Sequence, residues 1–92
     1  MALHVYEFDC HRTASFVAAS KKQATEMFCK YVGYGSLAAY WKAERESPKI
    51  TRLDDSKPVV LWMNGDETQA VSQTCGEWAE SCGPGLLCED LG

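Results

Sequence analysis

The sequence predicts a small α+β domain in which antiparallel strands pack against one main helix, in the order β-β-α-α-β-β-β-α. Three observations carry this. Two adjacent runs near the start alternate apolar and polar side chains with the period of a strand; a capping signature at Ser20 opens a helical stripe; and an apolar run at 59–63 ends on Asn64-Gly65. At 92 residues the chain has room for a single domain, 1–92, with one modest core.

From Leu3 to Phe8, Leu3 and Val5 fall on one face and His4, Tyr6 and Phe8 on the other. Asp9-Cys10-His11-Arg12 reads as a turn. Thr13 to Ala18 alternates again, so residues 3–18 predict a hairpin. Ser20 with Gln23 three residues on is a capping-box pattern, in which each side chain satisfies an unpaired backbone donor. Ala24, Met27, Phe28 and Tyr31 then form one apolar stripe, and Gly33 supplies a left-handed stop. Lys22, Gln23, Glu26 and Lys30 are left to solvent or a partner.

Ser36 caps a second, shorter helix whose Leu37, Tyr40 and Trp41 share a face, and Ser47-Pro48 stops it. Ile50 to Leu53 predicts a strand and Asp54 to Pro58 a turn. Val59 to Met63 is apolar on both faces, which suits a central strand. Asn64-Gly65 tolerates the positive φ angles of a type I′ turn, so Glu67 to Val71 is expected as the hairpin partner. Thr74 with Glu77 is a second capping box, opening a two-turn helix that stops at Gly83-Pro84-Gly85. Leu86-Leu87-Cys88 is expected to tuck against the core, with Glu89 and Asp90 in water.

The formal charge of −4 hides an uneven distribution. Residues 1–63 carry all nine Lys and Arg against seven acids, a net of +2, whereas residues 64–92 carry six acids and no Lys or Arg, a net of −6. Such a chain offers one surface suited to phosphate and one suited to a basic protein groove, although solubility alone also accounts for six carboxylates. No apolar run approaches the roughly 18 residues of a membrane helix, and the start lacks the pattern of a secretion signal. With five cysteines, an odd number, the expectation is reduced thiols in a cytosol.

Enzymatic motifs are absent: there is no nucleophile elbow, phosphate loop or HExxH, and adjacent Cys10 and His11 on a strand end point apart. Cys75, Cys82 and Cys88 have six and five residues between them, a wider spacing than the paired knuckles of structural zinc sites. The expectation is therefore no catalytic residue, no cofactor and no metal. Lys21 and Lys22 occupy the first helical turn, where the macrodipole disfavours cations. With Lys30 and Arg12 they are candidates for facing phosphate, against the alternative of ordinary solvated charges. Eight of the ten aromatics suit the core: Tyr6, Phe8, Phe16, Phe28, Tyr31, Tyr40, Trp41 and Trp62. Tyr34 and Trp78 are freer and, with Asp66, Glu67, Glu77 and Glu80, are candidates for binding protein, although a small core also borrows a tail Trp as a lid.

Across its whole length, from MALHVYEFDC through FVAASKKQATEMFCKYVGYG and VVLWMNGDETQ to GPGLLCEDLG, the chain resembles phage-encoded anti-CRISPR proteins directed at the type I-F surveillance complex. The resemblance implies a stoichiometric viral inhibitor in the host bacterial cytoplasm. It would bind the crRNA-guided complex, on backbone or tail subunits or on the guide RNA, and stop pairing with target DNA. It implies no membrane and no small-molecule substrate. The group unites unrelated folds, so it transfers no binding residue by position. The alternative from another class is a small cytosolic regulator that binds nucleic acid directly, against which a net charge of −4 weighs.

Overall fold

The computed structural model describes residues 2–10, 13–62 and 70–90. The element order is β1 (His4–Asp9), β2 (Thr13–Ala18), α1 (Lys21–Val32), α2 (Leu37–Glu44), β3 (Lys49–Arg52), β4 (Pro58–Trp62), β5 (Ala70–Thr74), α3 (Cys75–Cys82) and β6 (Gly85–Asp90). This is the predicted α+β order with one strand added at its end. Four strands form an antiparallel sheet in the order β3-β1-β2-β6, and β4 and β5 form a separate two-stranded ribbon.

The helices begin where the capping residues dictate. Ser20 accepts from the Gln23 amide at 3.1 Å, but the Gln23 side chain reaches past its own cap to take the Ala19 amide at 2.7 Å. Gln23 is therefore half-buried rather than solvent-facing. Gly33, at φ 86°, ends α1 by donating to the carbonyls of Cys29 and Lys30. Ser36 caps α2 through the Ala39 amide at 3.1 Å. Thr74 and Glu77 make the complete reciprocal box at α3, with distances of 2.9 and 3.2 Å.

Strand alternation divides the core in two. Tyr6, Phe8, Ala14, Phe16 and Ala18 face α1 and α2, where Phe28 stacks on Phe8 at 4.6 Å and meets Phe16 and Tyr40 edge-on. Val5 and Val17 point through the sheet to Cys75 and Ala79 of α3. Thus α1, the longest helix, packs on one face of the sheet as expected, and the shorter α3 covers the other. Val59, Leu53 and Leu87 extend the second core.

Four expectations are corrected. The central strands are β1 and β2, whereas Val59–Met63 contributes β4 to the peripheral ribbon, with Val60 55% exposed. An unbroken apolar run does not itself distinguish a central strand from a ribbon half-covered by a helix. Small residues such as Ala14 and Ala18 let β2 be buried on both faces without looking strongly apolar. Second, the partner of β4 is Ala70–Thr74 rather than Glu67–Val71, because Trp62 pairs with Ala70; Asn64-Gly65 lies outside the described residues. Third, 85–90 forms a full edge strand paired to β2, with a bulge between Ser15 and Phe16; Leu87 packs on the second core as expected, whereas Leu86 is 47% exposed. Fourth, two of the eight supposed core aromatics emerge: Tyr31 is 38% and Trp41 50% exposed. The side chains of Trp62, Glu89 and Asp90 lie outside the described set.

Candidate functional site

The sequence candidates separate onto two surfaces. Lys21, Lys22 and Lys30 are exposed on α1, whose first turn contains no acidic residue. Lys30 in the last turn complements the negative helix end, whereas the two cations in the first turn oppose the dipole. Glu26 stands between Lys22 and Lys30 at four-residue spacing and tempers this edge with one carboxylate. Beside Lys30, a shallow concavity of about 530 Å3 runs between α1 and the start of α2, lined by Cys29, Tyr34 and Leu37. Burial pushes the Cys29 thiol pKa up, so it stays protonated there. Arg12 lies outside the described residues.

Tyr34 is not a free loop aromatic. Its hydroxyl donates to the Glu44 carboxylate at 2.8 Å and its ring meets Tyr40 edge-on at 5.5 Å, pinning the 33–36 joint to α2. The hydrogen bond to Glu44, followed by partial desolvation, raises the phenol pKa.

On the far face of the sheet, Glu77 and Glu80 of α3 line an open cleft of about 410 Å3 with Leu3, His4 and Asp55. His4 Nδ1 and Asp55 Oδ1 are 3.0 Å apart. The turn that carries Asp55 is built locally: Asp54 accepts from the Ser56 amide at 2.8 Å and from its hydroxyl at 2.7 Å, which lowers the Asp54 carboxyl pKa. That turn lies against α3, because the Gly76 amide donates to the Asp55 carbonyl and the Cys75 amide to that of Lys57, each at 2.9 Å. The Thr74 backbone and side-chain bonds lower the Glu77 carboxyl pKa, so it is ionised in the cleft at neutral pH.

The structure thus brings Glu77 and Glu80 together and adds His4 and Asp55, which sequence reasoning missed; 51 residues separate the pair, and nothing local marks it. Asp66 and Glu67 lie outside the described residues. Trp78 is corrected from a binding anchor to a core residue. It is 3% exposed, and its indole donates to the Val59 carbonyl at 2.9 Å, so the lid alternative describes it. Cys75 is buried, Cys88 half-buried and Cys82 exposed, and among the described residues no three Cys, His, Asp or Glu side chains are placed to hold a metal ion. Nor, among those residues, is any helix long and apolar enough to cross a membrane.

Comparison with known protein families, with curated proteins and with solved structures yields no match.

Proposed function

We propose that this chain is a non-catalytic, stoichiometric inhibitor of the type I-F crRNA-guided surveillance complex. It acts in the cytoplasm of the infected bacterium and prevents the complex from pairing with target DNA. The observation that supports this is an uneven distribution of charge across one sheet: Lys21, Lys22 and Lys30 with one carboxylate, Glu26, on the α1 layer, and Asp55, Glu77 and Glu80 with one lysine, Lys57, on the α3 layer. A guide-RNA complex displays exposed phosphate beside basic grooves shaped for nucleic acid, and a two-faced binder complements both. Heteroduplex pairing is a near-balanced exchange, so a competing binder needs to shift it only modestly.

The test is co-purification and competition. Tagged protein should retain the guide-RNA complex from host lysate and abolish its binding to target DNA. Reversal of Lys21 and Lys22 to Glu, and separately Asp55→Asn with Glu80→Gln, should each weaken the association. Unchanged binding in both sets would remove both faces from the proposal. Strong, salt-sensitive binding of naked DNA or RNA by the isolated protein would instead favour a direct nucleic-acid regulator.

A further inference from the structure

Cys75 and Cys88 are thiols that neither charged face uses, and the fold brings both to the same side of the sheet. Cys75 is the first residue of α3; it is fully buried and packs with Val5 and Val17. Cys88 is half-buried in the edge strand β6. Strict alternation from Leu87, which packs on the second core, would put Cys88 on the α1 face. The bulge in the β2–β6 ladder prevents that. Ser15 pairs with Cys88 and Phe16 with Leu86, so Leu87 is the extra residue and stands with Cys88 opposite Ser15. Ser15 is 6% exposed and shares its face with Val17, the face that α3 covers. Cys88 therefore sits beside Ser15, one pleat along β2 from the valine on which Cys75 packs. Burial is the main cause that raises the Cys75 pKa, and Cys88 is among the neighbours whose charge adds to it, as a short separation requires. The other cysteines are less well placed to join Cys75. Cys82 is at the far end of the same helix, about 10 Å away along its axis, beyond the reach of a disulfide. Cys10 and Cys29 belong to the core on the α1 face.

We propose that Cys75 and Cys88 are a paired-thiol modification site, which a low-molecular-weight disulfide such as oxidised glutathione converts into an intramolecular disulfide joining α3 to β6. Exposure sets the order of events, because Cys75 offers no surface to a reagent and Cys88 does. The Cys88 thiolate attacks one sulfur of oxidised glutathione, forming a mixed disulfide and releasing one glutathione thiolate. The Cys75 thiolate then attacks the Cys88 sulfur, forming the internal bond and releasing the second. Two protein thiols are oxidised, one glutathione disulfide is reduced, and the protons lost by Cys75 and Cys88 pass through solvent to the two glutathione thiolates. Burial keeps Cys75 protonated, so its attack is the slower step. A cytosol ordinarily holds such thiols reduced, so the link forms when the thiol pool turns oxidising. Once made, it closes a loop over 75–88 and ties the last strand of the sheet to the helix that covers it. None of this depends on the inhibitor reading.

The experiment exposes the full chain, folded and reduced, to oxidised glutathione and then quenches it with an alkylating agent. Cleavage after Glu77 and after Leu87 puts Cys75, Cys82 and Cys88 on separate peptides. Mass spectrometry should find the Cys75 and Cys88 peptides joined, with Cys82 alkylated or carrying glutathione. The same treatment in urea should instead favour Cys82 with Cys88, which have fewer residues between them. The joined protein should melt about 5–15 °C above the reduced one. Dithiothreitol should reverse that gain, Cys82→Ser should leave it intact and Cys88→Ala should abolish it. Four results would each overturn the proposal: linkage of Cys82 to either partner in the folded chain, glutathione persisting on Cys88, both thiols staying reduced, or a joined protein that melts no higher than the reduced one.

Discussion

The indole N–H of Trp78 donates to the backbone carbonyl of Val59 across 2.9 Å, joining α3 to the β4–β5 ribbon. Trp78→Phe keeps most of the buried ring and deletes that donor. Leaving a half-buried carbonyl without its partner should cost about 1–3 kcal/mol, read as a lower urea midpoint with an unchanged slope. Because the ring is interior, binding of the wild-type partner should not change beyond the loss of folded protein.

Gly76 permits the 54–57 turn to lie against α3. A Cβ at this position would stand 3.3 Å from both the Cβ and the carbonyl oxygen of Asp55. Gly76→Val should therefore push the turn away and destabilise the fold by about 1–3 kcal/mol. The Cys75 and Gly76 amides, which donate into that turn, should lose hydrogen-exchange protection ahead of those in β1 and β2.

Lys21 and Lys22 should show opposite effects on folding and on binding. Reversing each to Glu places a favourable charge at the positive helix end and should add about 0.3–1 kcal/mol of stability at low salt. The same changes should weaken association with a guide-RNA complex. A calorimetric scan paired with a binding titration separates the two effects; lower stability would mean that these lysines have structural partners.

Glu77 gives a pH dependence of definite sign. Its folded pKa lies below the ordinary 4.5, first through the Thr74 amide and then through the Thr74 hydroxyl. The ionised carboxylate therefore contributes stability that is fully present above that ordinary value and lost as pH falls through the folded one. Comparing wild type with Glu77→Ala by urea unfolding should show a gap that is constant from neutral pH down to about 5 and that narrows at more acidic pH.

Local signals were the legible ones. Ser20, Ser36 and Thr74 marked all three helix starts because a cap is decided by residues within one turn, and Gly33 marked a stop for the same reason. The β1–β2 hairpin was legible from its alternation. What escaped depends on distant chain. Nothing around Trp78 signals that Val59 supplies its acceptor, and nothing around His4 signals Asp55. Trp41 looked interior because helical spacing put it beside Tyr40, yet an eight-residue helix resting by one edge buries only one of two adjacent rings. The acidic character of the last third was visible in composition, but the cleft that gathers part of it required Asp55 from a turn in the mainly basic portion.

The pairing of β6 with β2 has a kinetic consequence. Thr13 faces Asp90, so this half of the sheet closes only when segments separated by most of the chain meet, whereas the paired strands β1 and β2 are neighbours in sequence. Hairpins form in about 1–10 μs, while non-local pairing slows folding by raising contact order. Until 85–90 has been synthesised and docked, the outer rim of β2, flanked by Phe16 and Val17, is an open template for other nascent chains. Pairing of 85–90 with β2 therefore closes an edge that would otherwise be open to intermolecular strand pairing.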